Sequence, residues 1–378
     1  MLSRVFYAVN WVNIAAIFPL IAADLGQNVL GLGLLTGSFY AGIGLFQIPG
    51  GIAAAKIGPR RTYAYGTIAA SSACLLVGLA SEFYEIMILR FIVGLSMAFV
   101  FAPGVTLISK YLRGSEGFGV GILNAAFNVG GIMGLFGWAA LAELLGWRIS
   151  VVASGALGIL TGFILLKLIP QDAVRENFLF TYSSLRKILL DRWLWHVALE
   201  LVAITAGAST ITAFVVFYLE ESMRVAAALA GLIGAIAYFS GIFASPIFGR
   251  LYDRYGNERG LFIFSGLLIA VGLAIASTNS LYGMVISTAI VGFFLTAGAT
   301  VAFSAARKSG TLDAEYETLA VSWVNCVHFA ASLLSPIIFS LVVLQIGYST
   351  AWLLAGLCTV LLISIAMIPK GRTFADRS

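Results

Sequence analysis

Few residues in this chain of 378 could handle charge away from water, and their spacing suits proton and anion chemistry. His196 and Glu200 stand four apart, so a helix puts an imidazole and a carboxylate on one face, where they can share a proton. A structural pair bonded to neighbouring polar groups is the alternative. Arg90 begins "RFIVGLSMAFVFAPG", inside an apolar run. A guanidinium there can hold an anion or tune a neighbour's proton affinity, or it can serve structurally by pairing with Asp24, Glu82 or helix-end carbonyls. His328, among Asn325, Cys326 and Ser332, is either a further proton site or a packed, hydrogen-bonded residue. No nucleophile stands beside a base, and no second ligand stands at metal-binding spacing. An enzyme is therefore not expected, and neither is a metal or other cofactor. Cys74, Cys326 and Cys358 lie inside apolar runs and read as small packing residues.

The elements that position these residues follow from composition. The chain is 60% hydrophobic and 10% charged, with 41 glycines and a mean hydropathy of +1.00. A soluble domain carries roughly 25% charged residues, so lipid is the solvent here. The net charge of +5 does not point to nucleic acid, because the basic residues sit in short segments between apolar runs. Runs near 5–25, 31–54, 62–81, 84–109, 118–142, 147–168, 193–219, 225–248, 260–277, 281–306, 318–345 and 348–369 each reach the length of a membrane helix. Val5 to Leu25 is longer than a signal-peptide core and is read as the first span.

The expected fold is an all-α membrane protein with twelve transmembrane helices in two six-helix bundles. With the N-terminus in the cytoplasm, all but three of the 22 basic residues (Arg90, Arg148 and Arg224) fall in inside segments, so both termini are expected to be cytoplasmic. The predicted organisation is a bundle over 1–169, a basic cytoplasmic linker over 170–192 with a surface helix around "SLRKILLDRW", and a bundle over 193–378. The chain is expected to be a multi-pass monomer of the plasma (inner) membrane, with the lipid bilayer, a small-molecule solute and protons as its partners.

"GIAAAKIGPRR" (51–61) returns 198 residues later as "GRLYDRYGNER" (249–259), and at the same offset Gly33 meets Gly231, Leu34 meets Leu232 and Tyr40 meets Tyr238. Two parallel six-helix repeats suit a transporter whose halves rock about a midplane site. In this reading Gly51 and Gly249 permit close helix approach, Gly58 and Gly256 permit tight reversals, and the basic residues anchor to headgroups or helix ends.

The pattern of Gly249, Asp253, Arg254, Gly256 and Arg259 resembles the signature loop of the major facilitator superfamily, and the resemblance covers the whole chain. It implies that Asp253 and Arg254 clamp the two halves on the cytoplasmic side. In the first copy (Gly51, Lys56, Gly58, Arg61) Ala55 replaces the acid, so that clamp is expected to be weak or absent. The stretches 39–61 and 90–104, with "GWR" at 146–148, resemble the anion:cation symporter branch. Nitrate- and cyanate-type porters share much of the same local pattern. Where that branch carries an Asp-Arg pair, Asn10 and Trp11 stand here, followed by the matching Asn13 and Ile14.

The family resemblance places spans one, four, seven and ten around a central cavity. Beside Arg90, the implied lining is Tyr7, Asn10, Trp11 and Asn13 from span one, Thr205, Ser209 and Thr212 from span seven, and Thr296, Thr300 and Ser304 from span ten. Small hydroxyls in membrane helices also bond to backbone or to neighbouring helices. Gly130 and Gly134 in span five are read as a packing face between the halves. Pro49, Pro103, Pro246 and Pro336 are read as kink sites. The expected function is alternating-access transport of a small anion coupled to protons. The alternatives are export of lipophilic or cationic compounds, or a receptor or scaffold that has lost transport.

Overall fold

A segment of about 20 apolar residues in lipid can satisfy its own backbone only as a helix. A computed structural model describes residues 1–111, 116–170, 182–307 and 314–367, and among these every regular element is helical. The N-terminal spans are Leu2–Leu25, Val29–Ile57, Pro59–Val77, Phe83–Met97 continued by Phe101–Tyr111, Glu116–Ile132 continued through a π-helical turn to Trp138–Leu145, and Trp147–Leu168. A short helix, Tyr182–Leu190, precedes the next group. Spans seven to ten are Arg192–Glu221, Ala227–Tyr255, Glu258–Ala276 and Leu281–Arg307. Span eleven starts at Ala314–Ser332 and resumes at Leu334.

Ten described stretches are long and apolar enough to cross a membrane. One of them, Ala320–Ser364, is broken at Gly347, whose φ of 83° and ψ of 168° suit only glycine, so it forms spans eleven and twelve. Pro59–Val77 completes the twelve; Arg60, Arg61 and its hydroxyl residues lower its hydropathy. Large apolar side chains such as Leu45, Tyr84, Leu144 and Leu361 stay exposed, as a lipid-facing surface requires.

Helix breaks fall at mechanically meaningful places. Spans four and eleven are interrupted at Val100 and Leu333, each three residues before a proline, Pro103 and Pro336. Proline has no N–H to return to the preceding turn, so the ladder weakens there. Pro49 and Pro246, also expected to kink, lie inside continuous helices.

Spans two and eleven pack as an antiparallel pair. Added methyl groups at Gly33, Gly37 and Gly44 would collide with Pro336, Leu333 and Phe329 in turn. Spans eight and five form a second such pair, where a methyl at Gly231 would strike the Leu135 carbonyl. The 198-residue offset therefore maps Gly33 and Gly231 onto equivalent contacts. Gly130 and Gly134 correct the sequence reading. They face Val5, Ala8, Val9 and Val12 of span one within the same half, whereas Gly131 meets Tyr238 of span eight. The helical period explains the difference, since neighbours in sequence point about 100° apart.

Candidate functional site

A small cavity of about 30 Å³ lies where spans one, two, four, seven and eight converge. Its lining includes Trp11, Thr36, Tyr40, Arg90, Thr212 and Tyr238. That volume holds no more than about two waters. Aromatic rings pack beside the cavity. Trp11 and Tyr40 lie 5.6 and 5.9 Å from Phe329 of span eleven, and Phe127 lies 6.1 Å from Tyr238. Two further ring contacts sit farther along the bundle, Phe18 with Phe217 at 5.2 Å and Phe101 with Phe303 at 5.9 Å. The aromatic contacts between the two six-helix groups thus form three layers, with the cavity beside the middle one.

Arg90 is 3% exposed. Its Nη1 donates to the Asn10 carbonyl at 3.0 Å and its Nη2 to the Trp11 carbonyl at 3.2 Å, while the guanidinium lies 4.5 Å from the Phe39 ring centre. Neither Asp24 nor Glu82 pairs with it; Asp24 is held instead by Arg148 and by the Trp147 indole. Arg90 therefore fixes span one and brings a positive charge to the cavity with no carboxylate against it among the described residues. Gly94 lets this stretch approach closely, its backbone lying against the Phe39 carbonyl of span two.

The structure separates the other span-one candidates. Trp11 faces the cavity, and Tyr7 stacks on Trp11 and Phe127 at 5.8 and 6.1 Å. Asn10 and Asn13, also expected at the cavity, turn away from it and are fully buried. Asn10 donates to Ser71 Oγ at 3.4 Å, and Asn13 donates to Ser154 Oγ at 3.1 Å and Cys74 Sγ at 3.5 Å. Polar partners on spans three and six draw these amides inward, because an amide facing lipid or apolar rings would lose its hydrogen bonds.

The hydroxyls of spans seven and ten mostly tie helices together. Thr205 reaches Ser332 Oγ at 3.4 Å and Ser209 reaches Ser335 Oγ at 3.1 Å, both on the span-eleven side. Thr300 donates to Ser245 of span eight at 3.1 Å, and Thr296 abuts Gly241 of that span. Thr212 does line the cavity.

His196 Nε2 lies 3.1 Å from Glu200 Oε1, within ion-pair reach, and neither carboxylate oxygen has a hydrogen-bond partner among the described residues. The Glu200 side chain is fully buried. Ile204 and Gly207 share its helix face, and they pack against Gly266, Gly298 and Thr359 of spans nine, ten and twelve. The pair thus sits inside the second helix group, on the side of span seven away from the Thr212 and Ala213 lining. His328 stacks 4.1 Å from Phe329, and its buried Nδ1 has no hydrogen-bond partner among the described residues.

In the repeated loops, Gly58 and Gly256 adopt φ of 88° and 60°, the reversals expected of them. Gly51 and Gly249 differ from expectation: added methyls would meet only Ser322 Oγ at 3.5 Å and Thr300 at 3.8 Å, so close approach does not require glycine there. The tight contact lies nearby at Gly50, against the Ala98 carbonyl. Lys56, Asp253 and Arg254 are exposed, while Arg61 and Arg259 are partly buried. Arg254 lies 5.4 Å from the Tyr255 ring, and Arg60 donates to the Leu166 carbonyl of span six.

Residues absent from the sequence-based site include Thr36, Tyr40, Tyr238 and Phe329. Tyr40 and Tyr238 occupy equivalent repeat positions, and both line the cavity. Their shared offset was the available signal.

Comparison with known proteins fits this architecture. The profile of the Major Facilitator Superfamily matches twice, over residues 1–220 and 199–376. The chain is 26% identical to the inner membrane transport protein YnfM of Escherichia coli over 56% of its own length and 52% of that protein's. It is 23% identical to the probable sulfoacetate transporter SauU of Cupriavidus necator over 92% of this chain and 87% of that one. A bacterial homologue of the human lysosomal transporter Spinster superimposes with a TM-score of 0.72 at 19% identity, covering 97% and 93% of the two chains. A duplicated twelve-span fold, a cavity between its halves and a family match along nearly the whole chain establish this protein as a transporter of the Major Facilitator Superfamily.

Proposed function

We propose that the protein moves a small organic or inorganic anion across the plasma membrane by alternating access, with both termini in the cytoplasm. The observation that carries this reading is Arg90, a buried cation at the cavity wall with no carboxylate beside it among the described residues. An uncompensated charge in apolar surroundings is costly, and a bound anion offsets that cost. Resemblance to the anion:cation symporter branch and similarity to a probable sulfoacetate transporter agree with an anionic solute. Residues 1–169 and 193–378 act as the two rocking bodies of a monomer. Spans two and eleven, and five and eight, form the contacts that separate and re-form.

His196 and Glu200 are the proposed proton site. They are remote from the cavity wall, so protonation acts through the packing of span seven against spans nine, ten and twelve. His328 is the second proton candidate, stacked beside Phe329. Asp253, Arg254 and Arg259 form the charged cytoplasmic gate.

Export of a lipophilic or cationic compound is the competing reading, favoured by the aromatic lining of Trp11, Phe39, Tyr40 and Tyr238. Uptake into proteoliposomes under imposed pH gradients, run over small carboxylates, sulfonates, phosphates, nitrate and lipophilic cations, decides between them. Gradient-driven anion flux supports the proposal, and flux of cations alone supports the exporter.

A further inference from the structure

Arg4 counts, in the sequence, as one of the basic residues marking the inner membrane surface. In the structure it is 4% exposed, and its Nε and Nη1 are buried without a hydrogen-bond partner among the described residues. Aromatic side chains surround its charge: the guanidinium carbon lies 4.3, 4.8 and 5.2 Å from the centres of Tyr7, Phe127 and Phe101, and the Tyr7 hydroxyl is within its hydrogen-bonding reach. No carboxylate pairs with it among the described residues. The first turn of its helix carries no acid, so the positive end of the helix dipole adds to the same potential.

Arg4, Tyr7 and Trp11 stand at i, i+3 and i+7, on one face of span one. Trp11 reaches the cavity and Arg90 grips the Asn10 and Trp11 carbonyls, so the two arginines lie roughly 9 Å apart along the helix at 1.5 Å per residue. Phe101, one of the rings around Arg4, packs 5.9 Å from Phe303 of span ten.

We propose that Arg4 is a second anion-binding site, separate from Arg90, at which the carboxylate, sulfonate or phosphate of the solute pairs with the guanidinium on its way past the Phe101–Phe303 contact. The inference rests on the anionic solute proposed above. An aromatic cage without a counter-charge leaves the guanidinium's Nε and Nη1 for a ligand, and cation–π contact stabilises the empty state only in part.

The test is thermal unfolding of the full chain in a phosphate-free maltoside detergent, titrated with sulfate and with sulfoacetate against chloride of equal ionic strength. Saturable binding to the folded state should raise the midpoint by about 2–4 °C in the parent protein. Arg4→Gln should lose part of that rise, while Arg90→Gln should keep the part Arg4→Gln loses. Should Arg4→Gln fail to fold, Arg4→Lys replaces it and should shift the anion midpoint concentration.

Repeating the titration in nanodiscs of phosphatidylglycerol or phosphatidylcholine separates the sources. An Arg4-dependent gain from phosphatidylglycerol without a sulfate response assigns a lipid headgroup as the anion. Anion protection that is lost in Arg90→Gln and unchanged in Arg4→Gln overturns the second site and leaves the Arg90 reading standing. Absence of protection in the parent, by any anion or lipid, overturns both.

Discussion

Replacing Gly33 by alanine should open the molecule without unfolding either half. The new methyl group would sit 2.8 Å from the Pro336 carbonyl oxygen and 3.1 Å from Ser340 Cβ, and it would also meet the Ser340 hydroxyl. The hydroxyl can rotate away, but the carbonyl belongs to the span-eleven backbone and cannot. Overpacking of this kind costs about 1–3 kcal/mol. The strain exists only while spans two and eleven are in contact, so it destabilises the closed arrangement and leaves an open one unaffected. At 1.4 kcal/mol per tenfold, the open population should rise roughly 5- to 150-fold.

A cysteine at Thr36, on the cavity wall, reports that population through its rate of maleimide labelling, in a background where Cys74, Cys326 and Cys358 are replaced. Gly33→Ala should speed labelling by the same factor, and Gly231→Ala should do likewise at the equivalent contact. Gly51→Ala, where the nearest atom is 3.5 Å away, is the matched control. Labelling of Gly33→Ala within about twofold of the control would refute the claim that these glycines meter closure.

Other outcomes follow from the same contacts. Glu200→Gln should uncouple solute flux from an imposed pH gradient while flux down a solute gradient persists; unchanged pH dependence would reject Glu200 as the proton site. Asn13→Leu should lower stability by about 1–3 kcal/mol, because it breaks bonds to Ser154 and Cys74, with little change in solute affinity measured on the surviving protein. Asp253→Asn should slow turnover more than any substitution at Ala55, with initial uptake rates as the readout. Gly42→Ala, which collides with the Phe91 carbonyl inside one half, should reduce the unfolding temperature and the yield rather than shift labelling.

Hydropathy and the repeat made the architecture legible, since lipid leaves a backbone only one way to satisfy itself and duplication repeats its contacts. Gly33 and Gly231 show how far that reaches: their shared offset predicts equivalent positions, and they occupy equivalent interfaces. Side-chain direction was not legible. Asn10 and Asn13 stand on a span that lines the cavity, yet Ser71, Cys74 and Ser154 on other spans turn them inward, and nothing local to span one reveals those partners. The surroundings of Arg4 were hidden for a related reason, because a basic residue at a helix start looks the same in sequence whether it reaches water or an aromatic cage. Glu200 was recognisable as a buried acid, but its distance from the cavity depends on which face of span seven meets spans nine, ten and twelve.

The central claim, that Arg90 holds an anionic solute in transit, is tested most directly by uptake of radiolabelled small carboxylates, sulfonates, phosphates and nitrate into proteoliposomes carrying the parent protein, Arg90→Lys or Arg90→Ala. The account predicts saturable uptake of at least one of these anions by the parent, inhibited by other small anions. It also predicts a loss of about a hundredfold or more in kcat/KM for Arg90→Ala, and partial retention in Arg90→Lys. Saturable uptake of the same anion that survives Arg90→Ala unchanged would contradict it.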